Sequence, residues 1–195
     1  TGPLGQGLAT SVGIALSQKT MAEQFDKDLF CSKTIVLASD GCIMEGVTSE
    51  ASSLAGHLQL DNLIVIYDAN DICLDGPTDE CLTEDTKMRY ESYGWYVQTI
   101  DGHSFSMLKN SINKAKESKK PSLIIAKTVI GKGSPNLEGS SEVHGKAMGE
   151  SEVNLTKKHY NIPIDSLFHI PKEVSEFFNH KKKEWQLSYD KWNEA

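Results

Sequence analysis

The sequence predicts an α/β domain: a parallel β-sheet with helices on both faces. Three observations carry this. Short, nearly continuous apolar runs recur at 34–38 (TIVLA), 63–68 (LIVIYD), 95–100 (WYVQTI) and 122–130 (SLIIAKTVI), as strands covered on both faces require. Between them lie stretches with apolar residues at helical spacing. Strand and helix alternate throughout, the order of βαβ units.

Each element has its own signal. A glycine-rich start (Gly2, Pro3, Gly5, Gly7) leads into a helix with Leu8, Val12 and Leu16 on one face. TIVLA ends in Ser39-Asp40-Gly41, and residues 45–60 read as a helix with Leu54 and Leu58 as core positions. LIVIYD runs into Asn70-Asp71-Ile72 through Ala69. A helix over 83–93 is opened by Thr83-Glu84-Asp85, a cap with acids in the first turn. Asp101-Gly102 marks a turn, and 104–118 a helix with Leu108, Ile112 and Ala115 inward. Residues 131–152 are rich in glycine and serine without periodicity; a long loop of this kind in a compact domain commonly carries function. Pro171 suits a first helical turn, and Val174, Phe178, Trp185, Tyr189 and Trp192 then share a face. The expected division is a binding domain over 1–150 and a helical extension or linker over 151–195. Thr1 is not an initiator methionine, so the chain reads as starting within a longer polypeptide.

Of 195 residues, 38% are hydrophobic and 24% charged, with a formal net charge of −7. That balance argues against nucleic acid and anionic membrane as partners. No apolar run reaches membrane length, and no signal-peptide pattern is present. A phosphate-bearing ligand then needs a local device. Cys31, Cys42, Cys73 and Cys81 form no CxxC pair and have no histidine at zinc spacing. They read as reduced thiols of a cytosolic protein, with Cys42 and Cys73 as small fillers.

Ligands of such sheets bind beyond the C-terminal strand ends. Asp40-Gly41 follows the first run and Asn70-Asp71-Ile72 the second; if the two strands are neighbours, Asp40 and Asn70 face one crevice. A carboxylate, an amide oxygen and a backbone carbonyl are hard ligands suited to Mg²⁺ or Ca²⁺. Gly41 lets the backbone approach a phosphate, and the helix after it offers free N–H groups. Asp40 as a helix cap and Asn70 as a turn residue fit the same residues equally well, and on chemistry alone both readings stand.

Several segments resemble the transketolase family. Asp40-Gly41-Cys42-Ile43-Met44-Glu45-Gly46 is similar to its GDGCxMEG segment, and Asn70-Asp71-Ile72-Cys73-Leu74-Asp75-Gly76 follows at the family's interval. Thr1-Gly2-Pro3-Leu4-Gly5-Gln6-Gly7, Ile130-Gly131-Lys132-Gly133-Ser134-Pro135-Asn136 and Val143-His144-Gly145 resemble its TGPLGQG, IGxGSPN and VHG segments, in order. The resemblance covers essentially the whole chain and is weakest after residue 150.

The resemblance implies the thiamine-diphosphate-binding fold, with thiamine diphosphate and Mg²⁺ (or Ca²⁺) as cofactors. Asp40, Asn70 and the Ile72 carbonyl are implied as metal ligands, with Gly41 at the diphosphate. Gly2 and Leu4 are implied beside the aminopyrimidine and thiazolium, and Leu74 and Ile130 as apolar wall. His144 reaches the diphosphate and the substrate's reacting end. Glu45 is implied with His144 as a catalytic residue and as a cofactor contact, and Glu45 and Glu50 lie in the carboxylate cluster linking two active sites of a homodimer. The implied reaction moves a two-carbon ketol unit from a ketose phosphate such as xylulose 5-phosphate to an aldose phosphate such as ribose 5-phosphate, in the pentose phosphate pathway. The cytoplasm is the implied location, with a plastid as an open alternative. The family's pyrimidine-binding domain, which supplies an activating glutamate, is not in this chain, so the chain by itself is expected to be inactive.

Bland roles compete at several positions. Glu45 also suits a first-turn acid and His144 a structural hydrogen bond, while His103 reads as part of a turn and cap. His57, His159, His169 and His180 read as surface or packing residues, and Lys181-Lys182-Lys183 as a solvated helix face. Ser39 replaces the family's usual glycine, and Ser141 stands where many relatives carry a second histidine. Dihydroxyacetone synthase, deoxyxylulose-phosphate synthase, a split enzyme and a non-catalytic dimerisation module are the alternatives the sequence leaves open.

Overall fold

The computed structural model describes residues 2–194; Thr1, the first residue of the TGPLGQG segment, lies outside them. The chain divides into two compact units, Thr1–Lys132 with Leu137–Ala147, and Gly133–Asn136 with Met148–Ala195.

The first unit is a parallel four-stranded sheet. Its strands are β1 (Thr34–Ser39), β2 (Leu63–Ala69), β3 (Tyr96–Asp101) and β4 (Ser122–Lys127), in the order β1-β2-β4-β3. Its helices are α1 (Gln6–Gln24), α2 (Asp40–Met44), α3 (Gly46–His57), α4 (Thr86–Ser92) and α5 (Phe105–Glu117). The chain passes β4's place to form β3 and then returns to fill it. Reversing the direction of a crossover of fixed hand puts its helix on the opposite face. One core accordingly joins Leu8, Val12 and Ala15 of α1, Ala55 of α3 and Tyr90 of α4 to Val65, Tyr67, Leu123 and Ile125. The other joins Ala115 of α5, with Leu108 and Ile112 against it, to Ile64, Ile100, Ile124 and Ala126.

Four details depart from the sequence reading. Leu54 and Leu58 are 48% and 38% exposed, and α3 buries Thr48, Ser52, Ala55 and Gly56 instead. The reason is close approach: a Cβ on Gly56 would meet the Tyr93 carbonyl oxygen at 1.9 Å. The buried hydroxyls are satisfied, Thr48 donating to the Cys42 carbonyl at 2.6 Å and Ser52 to the Tyr90 hydroxyl at 3.1 Å. On α1 the inward spacing is Leu8, Val12, Ala15, which leaves Leu16 partly exposed. On β1, Ile35 and Leu37 are exposed, so the both-face covering expected of the apolar runs fails at this strand. Finally, α4 starts later than expected, capped by the Asp85 carboxylate accepting from Met88 N–H at 3.0 Å.

The second unit contains α6 (Glu150–His159) and α7 (Lys172–Glu194). The stretch 131–152 is irregular except for a 3₁₀ turn at Ser141–Val143 and the start of α6. Val174, Phe178, Trp185, Tyr189 and Trp192 of α7 are all exposed.

Candidate functional site

β1 and β2 are neighbours in register, Ser39 opposite Asp68, so the residues after each strand emerge together. Asp40, the first residue of α2, is 2% exposed. Its Oδ1 accepts from the Tyr67 hydroxyl at 2.5 Å and its Oδ2 from the Asn70 backbone N–H at 3.3 Å. Asn70 Oδ1 in turn accepts from the Ile72 N–H at 3.0 Å. Asp40, Asn70 and Ile72 are thus joined in one hydrogen-bonded group.

Asp40 is electrostatically costly where it stands. Burial pushes its carboxyl above the ordinary range. Hydrogen bonds from Tyr67 and Asn70 pull the other way, and the charges of Asp71 and Asp68 push it up again. Burial, followed by the bond to Asp40, also raises the Tyr67 phenol. A buried carboxylate with acidic neighbours gains from a cation placed on its free lone pairs. Among the described residues no three His, Cys, Asp or Glu side chains form a metal cage. A metal here could instead take the Asp40 carboxylate, the Asn70 amide oxygen and a backbone carbonyl, with a phosphate ligand completing the shell, as Mg²⁺ and Ca²⁺ accept.

The opening segment lies against this group. Leu4, 43% exposed, sits so close to Gly41 that a Cβ there would lie 2.8 Å from Leu4 Cδ1. Gly5 adopts φ +77, and a Cβ on it would meet Glu45 Cβ at 2.7 Å and Thr48 Oγ1 at 2.8 Å. Gly2 is exposed. Glu45 is the N-cap residue of α3, where its carbonyl accepts from Thr48 N–H at 3.0 Å; its carboxylate makes no capping bond and, like that of Glu50, is exposed. Glu45 thus stands at the cap position, one residue before the first turn. Ser39 donates its hydroxyl to Cys42 Sγ at 3.4 Å. Burial pushes the Cys42 thiol up, but this bond and backbone bonds from Gly5 and Ser39 outweigh it and hold the thiol below its usual range.

The third part is the loop after β4. Ile130 is half-buried, and its carbonyl accepts from Gly139 N–H at 2.8 Å. Gly131, at φ +63, leaves room for Val143 and Leu137. This fold of the loop brings His144, closing the 3₁₀ turn, back toward Ile130; its backbone N–H bonds to the Ser141 carbonyl at 3.0 Å. Its Nδ1 is buried without a partner among the described residues. A buried polar atom left unpaired costs about 1–3 kcal/mol, which a ligand acceptor or donor would remove. Leu74 is 60% exposed on the loop after β2.

Three supporting residues were not singled out as such in the sequence. Tyr67 carried a readable signal, since a hydroxyl within a buried apolar run must find a partner. Arg89 donates to the Ile43 carbonyl at 3.0 Å and pairs with Glu84 at 2.5 Å, tying α4 to α2. His103 accepts the Val129 N–H on Nε2 at 2.9 Å, just before Ile130, and is more than a turn residue. In the second unit the buried Glu152 accepts from Ser134 Oγ, from Asn136 N–H at 3.0 Å and from Asn136 Nδ2 at 2.8 Å, fixing the SPN segment; no local pattern announces it.

A parallel sheet with helices on both faces, and with Asp40, Gly41, Asn70 and Ile72 gathered beyond the C-terminal ends of two adjacent strands, defines an α/β domain of the kind that takes its ligand in that crevice. The chain belongs to the transketolase thiamine diphosphate binding domain family, which it matches over residues 1–195. It is 46% identical over 207 residues to the transketolase of Staphylococcus epidermidis, covering 100% of this chain and 31% of that protein. Its fold is similar to the crystal structure of transketolase from Campylobacter jejuni, with a TM-score of 0.96 and 40% identity over 100% of this chain and 31% of that one. A transketolase from Pichia stipitis in complex with sedoheptulose 7-phosphate matches with a TM-score of 0.93 and 41% identity, over 100% and 29% of the respective chains. The chain thus spans under a third of the length of these relatives.

Proposed function

We propose that this chain holds the diphosphate and metal of thiamine diphosphate within a complete transketolase. The observation that carries the proposal is the meeting of Asp40 and Asn70 beyond the adjacent ends of β1 and β2. In this reading the Asp40 carboxylate, the Asn70 amide oxygen and the Ile72 carbonyl hold Mg²⁺ or Ca²⁺, and Gly41 admits the diphosphate. Gly2 and Leu4 lie beside the aminopyrimidine and thiazolium, and Leu74 and Ile130 form apolar wall. Bound thiamine diphosphate supplies a stabilised carbanion at its thiazolium ring. His144 faces the diphosphate and the substrate's reacting end; its unpaired, buried Nδ1 favours a ligand-binding over a structural role.

The substrates are sugar phosphates, a ketose donor and an aldose acceptor. The complex of the Pichia stipitis transketolase with sedoheptulose 7-phosphate supports this class. The carboxylates of Glu45 and Glu50, exposed and without an ion pair among the described residues, serve the contact between two subunits of a homodimer. Residues 151–195 lead toward a pyrimidine-binding domain outside this chain. No helix among the described residues is long and apolar enough to cross a membrane, and a cytoplasmic location is part of the proposal.

The test is ketol transfer from xylulose 5-phosphate to ribose 5-phosphate by the complete polypeptide, before and after metal chelation. Activity that requires both thiamine diphosphate and a divalent metal, and that is lost in Asp40→Ala, supports the reading. Full activity in Asp40→Ala sinks it. Transfer to formaldehyde in preference to ribose 5-phosphate would reassign the acceptor.

A further inference from the structure

Cys73 and Cys81 are brought together by the loop after β2. The Cys73 N–H bonds to the Gly76 carbonyl at 2.7 Å, and Ile72 pairs with Pro77 in an isolated antiparallel bridge. Thr78 N–H returns to the Asp71 carbonyl at 3.0 Å. The 3₁₀ turn Thr78–Glu80 then turns the chain back, Cys81 N–H bonding to the Thr78 carbonyl at 3.0 Å. The outcome is a Cys73 Sγ to Cys81 Sγ separation of 4.0 Å, with Cys81 exposed and Cys73 half-buried.

We propose that Cys73 and Cys81 are a reversible redox couple that closes to an internal disulfide when the protein meets a peroxide. A bond length of about 2 Å requires the sulfurs to approach by roughly another 2 Å, within the reach of side-chain rotation. Cys81 is the outer thiol and is attacked first. Its sulfur takes one oxygen from hydrogen peroxide to give a sulfenic acid, and one water leaves. The Cys73 sulfur then displaces that hydroxyl, its proton leaving with it as a second water, and the S–S bond forms. The two thiols are oxidised by two electrons in all and the peroxide is reduced. A dithiol reductant reverses the step by exchange.

The staple closes residues 73–81, which include Leu74 and start directly after Ile72, so it acts on the loop that the proposed metal and cofactor reading uses. The cross-link itself does not depend on that reading. Fixing Cys73 to Cys81 restricts the opening of the 71–78 turn, as ring closure restricts any loop.

The experiment treats the folded complete polypeptide with hydrogen peroxide, blocks free thiols with a maleimide, and digests with trypsin and then a glutamate-specific protease. Cleavage after Glu80 puts Cys73 and Cys81 on different peptides, and cleavage after Glu45 and Glu50 removes Cys42 from both. The expected result is a Cys73–Cys81 linked pair, about 2 Da lighter than its separate thiol peptides. Its yield is independent of protein dilution, it disappears on reduction, and it is absent in Cys73→Ser and Cys81→Ser. Amide exchange over 71–78 slows in the oxidised protein. Cys73 and Cys81 recovered unlinked under conditions that oxidise Cys31 or Cys42 would overturn the proposal. So would links to Cys42, a yield that falls with dilution, or unchanged exchange over 71–78 in the cross-linked protein. Because the readout is a peptide and not a rate, it stands or falls separately from the ketol-transfer assay.

Discussion

His103 Nε2 accepts the backbone N–H of Val129 at 2.9 Å, linking the turn after β3 to the residue that precedes Ile130. The imidazole accepts there through Nε2 and so holds the start of the loop that ends in His144. We expect His103→Ala in the complete polypeptide to bind thiamine diphosphate several-fold more weakly, about the worth of one hydrogen bond near 1 kcal/mol. His103→Gln, which keeps an acceptor, should recover part of the loss. Tryptophan fluorescence titration measures the affinity, and an His103→Ala affinity within twofold of the parent's refutes the linkage.

Two glycines that look alike in sequence should behave oppositely. A Cβ on Gly41 meets only the far end of Leu4, a partly exposed side chain that can move, whereas a Cβ on Gly56 lands on the Tyr93 backbone. Gly41→Ala should therefore leave the melting temperature nearly unchanged but weaken diphosphate binding, because Cβ and the displaced Leu4 occupy the approach. Gly56→Ala should cost about 2–3 kcal/mol of stability, a drop of roughly 5–10 °C for a domain of this size. Calorimetry and cofactor titration on both variants check the contrast; equal stability losses contradict it.

The parallel sheet was legible because four apolar runs separate strands from amphipathic stretches, and each run became a strand. The placement of Asp40 beside Asn70 was legible only conditionally, since strand adjacency comes from topology and not from either motif. Leu54 and Leu58 misled because helical spacing marks a face without saying which face is buried; Gly56 and Ser52 allow a closer approach than leucine does. His103 was read as a turn residue, as Asp101-Gly102 invites, and its bond to Val129 depends on the end of β4, 26 residues away. Glu152 had no signal, because its partners Ser134 and Asn136 lie across an irregular stretch.

Glu152 should make the SPN segment sensitive to acid. The Asn136 amide, followed by the Ser134 hydroxyl and the Asn136 N–H, holds its carboxyl below the ordinary glutamate value of 4.5. A carboxylate whose folded pKa is lowered stabilises the fold above its unfolded pKa, and that contribution is lost as pH falls through the folded value. The window thus begins near pH 4.5 and extends below it. Hydrogen exchange at the Asn136 amide, relative to an unbonded loop amide, should accelerate across that window and show no such step in Glu152→Gln. A parent protein with the same profile as Glu152→Gln refutes the assignment.

The last expectation concerns Tyr67, which donates to Asp40 at 2.5 Å. Phenylalanine keeps the ring in the core and removes only the hydroxyl, so Tyr67→Phe deletes one of the two bonds that favour Asp40's ionised form. The carboxyl should then rise further above its ordinary range, and a divalent cation must displace more proton to bind at neutral pH. Residues that orient a metal ligand typically contribute 10–100-fold in affinity. We expect Tyr67→Phe to weaken Mg²⁺ binding by about tenfold at pH 6 and less at pH 8, with the cofactor-saturated rate recovered by added metal. Asp40→Ala should lose about 100-fold or more at every pH, since it removes the proposed ligand and not only its partner. A Tyr67→Phe deficit that is the same at pH 6 and pH 8 would show that the hydroxyl acts through packing around Asp40 and not through its charge.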